Sequence, residues 1–352
     1  MWSQLKLLKH KSILKEILSD EVSIPTHIQF EFTESCNYSC VFCPWHGENE
    51  GQFKNIDFTG KRFFDFERFI QLIDEMEELG VKAISITGAG ENLIHPKFDK
   101  FIEKLANSTI EFAITSNFGV KLSNSAIKNL LKAKWIRWSV NASDEITYNQ
   151  TNRPKVNDAY FISKNNISNL IQSRTDEKVH VGASFVIGDY NKHNIKDITK
   201  FVKNLEIDSL SFRPDTPMLR KEKIYEYDRQ TKIDLKECEK ESDKDFKIFV
   251  NYGRLEDSLQ IKDKDLRCYY SNHSIHIISN GDVYPCCMTR YDKKYKFGNI
   301  MDKSFKEFWF SKKRINNYKN IFMKNCPSCH HTNINKVLKN FYEENEQLDN
   351  FI

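Results

Sequence analysis

Three cysteines, Cys36, Cys40 and Cys43, fall in one short run with the spacing C-x3-C-x2-C. They offer three thiolates and no fourth. A cubane iron–sulfur cluster takes four ligands, one per iron, so three from the protein leave one iron open. An open iron points to chemistry at the cluster as well as electron storage. Zinc and inert cysteines are the competing readings. The spacing suits zinc poorly, because structural zinc sites favour C-x2-C or C-x4-C pairs and four ligands. A tight, odd-numbered set in a chain of 352 residues is no disulfide framework either.

The run resembles the cluster motif of the radical S-adenosylmethionine (radical SAM) superfamily. The resemblance implies a [4Fe–4S] cluster on Cys36, Cys40 and Cys43, with the open iron chelated by the amino and carboxyl groups of SAM. Phe42 matches an aromatic that the family uses near the adenine; simple packing of the loop is the plain alternative. Further on comes Gly88-Ala89-Gly90-Glu91. Small residues at a strand end let a ligand approach the backbone closely, and Glu91 could accept from an ammonium group. Alone this reads as a βα turn. After the cysteines it looks like the family's Gly-Gly-Glu element, which implies that Gly88, Gly90 and Glu91 bind the SAM amino group. Ala89 replaces the usual Gly, and Asn92 stands where Pro is common.

The remaining matches follow in the same order. Thr115-Ser116-Asn117 is similar to the superfamily's Thr-Asn-Gly segment, which makes Asn117 a candidate. Ser139 and Asn141 stand where a polar residue reaches the SAM ribose in relatives, although Asp is usual at 141. Arg153 stands where an Arg pairs with the SAM carboxylate, a task suited to its planar fork. Val186 and Ile187 could bracket the adenine. Arg213 and Asp215 fall where a polar substrate would lie, with substrate contact and a structural ion pair equally open.

These residues need a frame. From 27 to 213 the sequence alternates short β-rich runs with helical periods. The strands are His27–Thr33, Ala83–Thr87, Ile110–Thr115, Trp135–Val140, Val179–Val186 and Ser209–Arg213. Such alternation implies parallel strands with right-handed crossovers, and ligands bind at the C-terminal strand ends. An open doubly wound sheet and an incomplete barrel both satisfy it. The resemblance implies an α/β partial (β/α)6 barrel, here with a small C-terminal cysteine-rich auxiliary-cluster domain. The expected organisation is an N-terminal amphipathic helix at 1–23, the core at 24–215, a charged helical bridge at 216–262 and the auxiliary domain at 263–345.

In that last segment Cys268 and Cys286 are joined by Cys326 and Cys329, and Gly281 stands five before Cys286. The pattern resembles the SPASM/Twitch extensions of radical SAM enzymes and implies one auxiliary [4Fe–4S] cluster on these four cysteines. A zinc ribbon fits four cysteines with a C-x2-C pair equally well on the local sequence. Beside the first motif, iron–sulfur is the better reading. Cys287 is left over, as packing, as a hydrogen-atom donor or as a ligand exchanged with Cys286.

Composition narrows the rest. The charged fraction is 29% and the net charge +4, which gives no case for nucleic acid. No segment approaches the roughly 20 apolar residues that span a bilayer. Lys6, Lys9, Lys11 and Lys15 interrupt any signal-peptide core. A cytoplasmic chain without stable membrane insertion is expected, with its cysteines serving as ligands or reactive thiols rather than bridges. The resemblance implies reductive cleavage of SAM to a 5′-deoxyadenosyl radical, with flavodoxin or ferredoxin as reductant. The reaction expected is a two-electron dehydrogenation with the auxiliary cluster as electron relay. Only about 26 residues precede the first strand, too few for an independent leader-binding core. That favours a small polar substrate such as a sugar, cyclitol or nucleotide-linked molecule. The alternatives are a maturase of a ribosomal peptide, a redox-neutral epimerase and a non-catalytic metal-binding scaffold.

Overall fold

Alternation within each strand decides which way the sheet faces. In the computed structural model Ile28, Phe30, Ile84, Ile86, Phe112, Ile114, Ile136, Trp138, Val181, Phe185, Leu210 and Phe212 are all buried on one face. The register lines them up in rows: Ile28 beside Ile84 beside Phe112, and Phe30 beside Ile86 beside Ile114 beside Ile136. The opposite face carries His27, Gln29, Ser85, Thr115, Arg137, Ser139, Ser184, Ser211 and Arg213. Right-handed crossovers put the helices on the apolar face and leave the polar face inward. The structure describes residues 9, 22–47, 56–175, 179–215, 227–252, 265–322, 324, 326, 329 and 331–342. The helix expected at 1–23 lies almost wholly outside them.

Six parallel strands form the core: β1 (His27–Phe30), β2 (Ala83–Ile86), β3 (Glu111–Ser116), β4 (Trp135–Ser139), β5 (His180–Ile187) and β6 (Ser209–Pro214). Between them run α1 (Phe66–Leu79), α2 (Phe98–Ala106), α3 (Asn124–Leu130), α4 (Glu145–Asn152), α5 (Ala159–Gln172) and α6 (Ile195–Asn204). α1 begins where the Asp65 carboxylate accepts from the Arg68 N–H, and it ends at Gly80 with φ 89°. Its buried residues Phe69, Leu72, Ile73 and Met76 recur at helical spacing and join the strand core. β1 is shorter than the expected His27–Thr33, because the Phe32 N–H leaves the ladder for the Asn92 side-chain oxygen at 2.7 Å.

The segment 216–262, expected as a charged helical bridge, contains more than helix. After α7 (Arg229–Glu239), β7 (Lys247–Val250) pairs parallel with β6. Only Thr231, Leu235 and Cys238 of α7 are buried, a stripe too narrow to show through the charge around it. The cysteine-rich segment is likewise not a separate body. Its β8 (Ser274–Ile277) lies parallel to β1, with His27 opposite Ser274 and Gln29 opposite His276. β9 (Asp282–Tyr284) and β10 (Gly298–Asn299) follow antiparallel, completing the order β10-β9-β8-β1-β2-β3-β4-β5-β6-β7. α8 (Phe305–Trp309), α9 (Lys312–Lys319) and α10 (Thr332–Tyr342) close the chain. Among the described residues no helix is long and apolar enough to cross a membrane.

One arginine clamps the second module to the first. Arg68, in the first turn of α1, donates to the carbonyls of Ile300 at 3.0 Å and Lys303 at 2.5 Å. Its guanidinium also pairs with Glu75 at 2.8 Å, and Glu75 accepts from the Phe305 N–H at 2.6 Å. Arg68 is buried and Glu75 only half-buried, so Arg68→Ala, which leaves the Ile300 and Lys303 carbonyls without this donor, should cost about 1–3 kcal/mol in denaturant unfolding. The polar face has its own pH signature. Unfolded, His27 and His276 protonate near 6.5; burial holds His27 neutral down to about 4 and His276 well below 6.5. Their contribution to stability is whole above 6.5 and drains away as pH falls toward 4. The melting temperature of the metal-free chain should therefore drop less steeply between about pH 7 and 5 in His276→Gln than in wild type.

Candidate cofactor and active site

The cysteine loop leaves the C-terminal end of β1 and is tied down on three sides. From the end of α4, the carbonyls of Arg153 and Thr151 accept from the N–H groups of Ser39 and Val41, each at 3.0 Å. From the end of β3, Asn117 donates to the Asn37 side chain at 3.0 Å, and Asn37 donates to the Gly119 carbonyl at 3.3 Å. Tyr38 sits behind the loop, its hydroxyl 2.8 Å from that of Tyr148. The Tyr38 ring lies against Gly119, where a β-carbon would collide with it. Gly47 folds back so closely that a β-carbon there would come 2.7 Å from the Cys43 carbonyl oxygen.

The sulfurs receive backbone donors: Tyr38 N–H to Cys36 and Trp45 N–H to Cys43, both at 3.4 Å. The Cys40 thiol reaches the Asn152 amide oxygen at 3.8 Å. Burial pushes the Cys36 thiol up to about 12, with the Glu91 carboxylate adding to it. Burial also drives Cys40 well up, and its two cysteine neighbours add to that. As a bare protein the loop holds three neutral thiols; as ligands they must ionise together, which calls for a compensating cationic centre. Soft sulfur donors with N–H groups on them suit an iron–sulfur cluster. Among the described residues no three Cys, His, Asp or Glu side chains converge tightly enough for a single metal ion.

Next to this loop, Gly88 and Gly90 are required by packing. A side chain at Gly88 would strike the Glu31 carboxylate, and one at Gly90 the carbonyl of Ser35. Glu91 is buried and engaged with its own chain. Its carboxylate accepts from Leu93 N–H at 3.1 Å, the Ser116 hydroxyl at 2.8 Å and Asn117 N–H at 2.8 Å. Burial raises its pKa and these donors pull it back. It therefore fixes the turn at Asn92–Ile94 and the end of β3, with one lone-pair site of about four to spare. Asn92, at the usual proline, is the acceptor that ends the β1 ladder.

The other candidates separate into groups. Asn141, at φ 57°, spends its amide on Asn152 and on the Val186 N–H, both at 2.9 Å, and so ties β4, α4 and β5 together. Ser139 is half-buried on the polar face, in register with Ser184. Arg153, at φ 45°, caps α4 and lines a cavity of about 410 Å³ with Glu145, Asn149 and Asn157. Ile187 is fully buried in the apolar core, so alternation turns it away from the polar face and from any adenine. Val186 takes the inward position, opposite Arg213. Phe42 faces the ring of Tyr190, with centroids 6.1 Å apart and planes at 26°. Tyr190 in turn donates to Asp215 at 3.4 Å.

In the second module, Cys268, Cys286, Cys287, Cys326 and Cys329 share one neighbourhood, each linked electrostatically to at least one of the others. Burial, then Cys268, pushes Cys326 up to about 12 and Cys329 up to about 11. Cys329 receives the His331 N–H at 3.3 Å, and Cys268 the Asn335 amide at 3.9 Å. A fully buried carboxylate, Glu31, joins the modules. It accepts from Ala89 N–H at 2.6 Å, the Tyr291 hydroxyl at 2.5 Å and Ser279 N–H at 3.4 Å.

Sequence reasoning missed Glu31, Asn37, Asn152 and Tyr190. Glu31 left one signal, a charge at the inward phase of a strand. The loop's dependence on close approach is testable. Gly119→Ala should displace Tyr38, cost about 1–3 kcal/mol and lower the iron retained per chain, read by unfolding and by iron assay.

Comparison with known proteins agrees with this arrangement. Residues 30–202 match the radical SAM superfamily, and residues 268–331 match SPASM, an iron–sulfur cluster-binding domain. The tungsten-containing aldehyde ferredoxin oxidoreductase cofactor-modifying protein of Pyrococcus furiosus is 21% identical over 82% of this chain and 81% of its own length. The subtilosin biosynthesis protein AlbA of Bacillus subtilis is 22% identical over 83% of this chain, which spans 61% of AlbA. In structure, Streptococcus suis SuiB bound to precursor peptide SuiA superposes with a TM-score of 0.64 at 16% identity, over 90% of this chain and 71% of SuiB. The cofactors that follow are a [4Fe–4S] cluster with SAM and auxiliary iron–sulfur. The chain belongs to the radical SAM superfamily and carries a SPASM domain toward its C-terminus.

Proposed function

We propose that this radical SAM enzyme modifies a peptide or protein-borne residue by hydrogen abstraction. The observation that carries the reading is the extent of the match to AlbA, a bacteriocin biosynthesis protein, over 83% of this chain. The fold shared with peptide-bound SuiB supports it. On this reading the substrate is a peptide in place of the small polar molecule expected from the sequence.

When bound, the cluster and SAM supply a 5′-deoxyadenosyl radical, and the protein's work is to hold and shield. Cys36, Cys40 and Cys43 would hold the cluster, their loop fixed by α4 and the end of β3. Gly88 and Gly90 bring backbone close to the SAM amino group, with Glu91 setting the shape of that turn. Phe42 and Tyr190 offer flat apolar faces for the adenine. Ser139 and Arg153 are the contacts for ribose and carboxylate. Arg213 and Asp215, at the end of β6, meet the substrate. Cys268, Cys286, Cys326 and Cys329 would hold the auxiliary cluster, which would supply an acceptor for the electron given up by a substrate radical. Cys287 stands beside it as the hydrogen donor of a redox-neutral outcome. An acidic one-electron carrier of the flavodoxin or ferredoxin kind would deliver the first electron.

Anaerobically reconstituted protein given SAM and dithionite should form 5′-deoxyadenosine, and Cys40→Ala should form none. Short peptides encoded beside the gene, added to the same mixture, should lose two hydrogens by mass spectrometry. Product formation equal in wild type and Cys40→Ala would sink the radical reading. Oxidation of sugars or cyclitols with every such peptide untouched would sink the peptide reading alone.

A further inference from the structure

We infer that Arg290, a residue of the second module, raises the reduction potential of the cluster on the first; the inference rests on Cys36, Cys40 and Cys43 being that cluster's ligands. Arg290 is buried to 9% exposure. Its guanidinium carbon lies 5.0 Å from the centre of the Trp45 ring, and the Trp45 N–H is the donor on the Cys43 sulfur. The Trp45 ring also meets that of Tyr291 at 4.8 Å, and the Tyr291 hydroxyl is bonded to Glu31. Arg290 is thus wedged between the cysteine loop and the carboxylate that joins the modules.

This guanidinium lacks a counter-charge at contact distance. Among the described residues it makes no ion pair, and its Nε is buried without a hydrogen-bond partner. A buried cation in that condition is costly and calls for an anion. Glu31 acts on it electrostatically, but no ion pair joins the two among the described residues, and the Glu31 oxygens accept from Ala89, Tyr291 and Ser279. Against Trp45 lies Cys43, one of three thiols that must ionise to bind iron, and a cluster on three thiolates becomes more negative when reduced. The charge of Arg290 acts on Cys43 as well as on Glu31 and His276. A fixed positive charge there favours the reduced cluster, since charge and burial are among the levers on such potentials. The rival anion is a carboxylate of the substrate, which would leave the potential to other groups.

The test is a redox titration of the anaerobically reconstituted full chain, followed by electron paramagnetic resonance. The first cluster is the signal that is lost in the Cys36/Cys40/Cys43 triple alanine variant and altered by SAM. Loss of Arg290 alone could be masked if Glu31 then took up a proton, so the comparison is made in Glu31→Gln. Adding Arg290→Gln, or Arg290→Met, should move the first signal to more negative potential, so that less of it is reduced at a given applied potential. Adding Arg290→Lys should restore most of the shift, and the auxiliary signal should stay in place. An unmoved first signal at full iron content would overturn the inference. So would an equal shift of both signals, the mark of a general loosening. A wild-type signal that survives the triple cysteine variant would instead remove the ligand assignment beneath it.

Discussion

A carboxylate without access to water must be surrounded by donors, and Glu31 organises the junction of the two modules on that condition. Its three donors come from the end of β2, from the turn after β8 and from the segment after the paired cysteines. Each must be in place for the charge to be tolerated, because a stranded buried charge is worth several kcal/mol of instability. The position of the glycine turn is therefore tied through one residue to the seating of the second module, which Arg68 and the pairing of β8 with β1 also hold. Gly88 has no side chain because that space belongs to this carboxylate.

The polar face gives the same constraint on a larger scale. Rows of serine, histidine, glutamine and arginine line the inner side of the strands. Such a face cannot be closed by an apolar layer, since its groups would lose their partners. It is met instead by matching polar rows, as where His276 bonds Gln29 at 2.9 Å. What remains inward is a set of hydroxyl and guanidinium groups, with Ser139 beside Ser184 and Arg213 opposite Val186.

Much of this was legible in the sequence because the signals were local. The spacing of Cys36, Cys40 and Cys43, the glycines at 88 and 90, and the six strands with alternating burial all depend on near neighbours. What could not be read depends on distant ones. Glu91 read as a ligand for an ammonium group, and nothing near it in the sequence showed that its carboxylate also accepts from Ser116 and Asn117. Ile187 looked like an adenine contact, but the phase of β5 turns it into the core. β7 was hidden because its helix buries three residues in a charged segment. Glu31 gave only a charge at an inward phase, since its partners lie as far as 260 residues away.

The pairing of β8 with β1 also has a consequence for how the chain is made. Gln29 and His276 are 247 residues apart, yet they are neighbours in the sheet. During synthesis β1 emerges early, and β2 can cover one of its sides soon afterwards. The other side presents unpaired backbone groups until β8 has left the ribosome. An open parallel edge of that kind is a template for pairing with another chain. Closing it late, over so long a separation, is slow. The second module thus covers the open side of the first, and a chain interrupted before residue 274 would leave the ribosome with one side of β1 exposed.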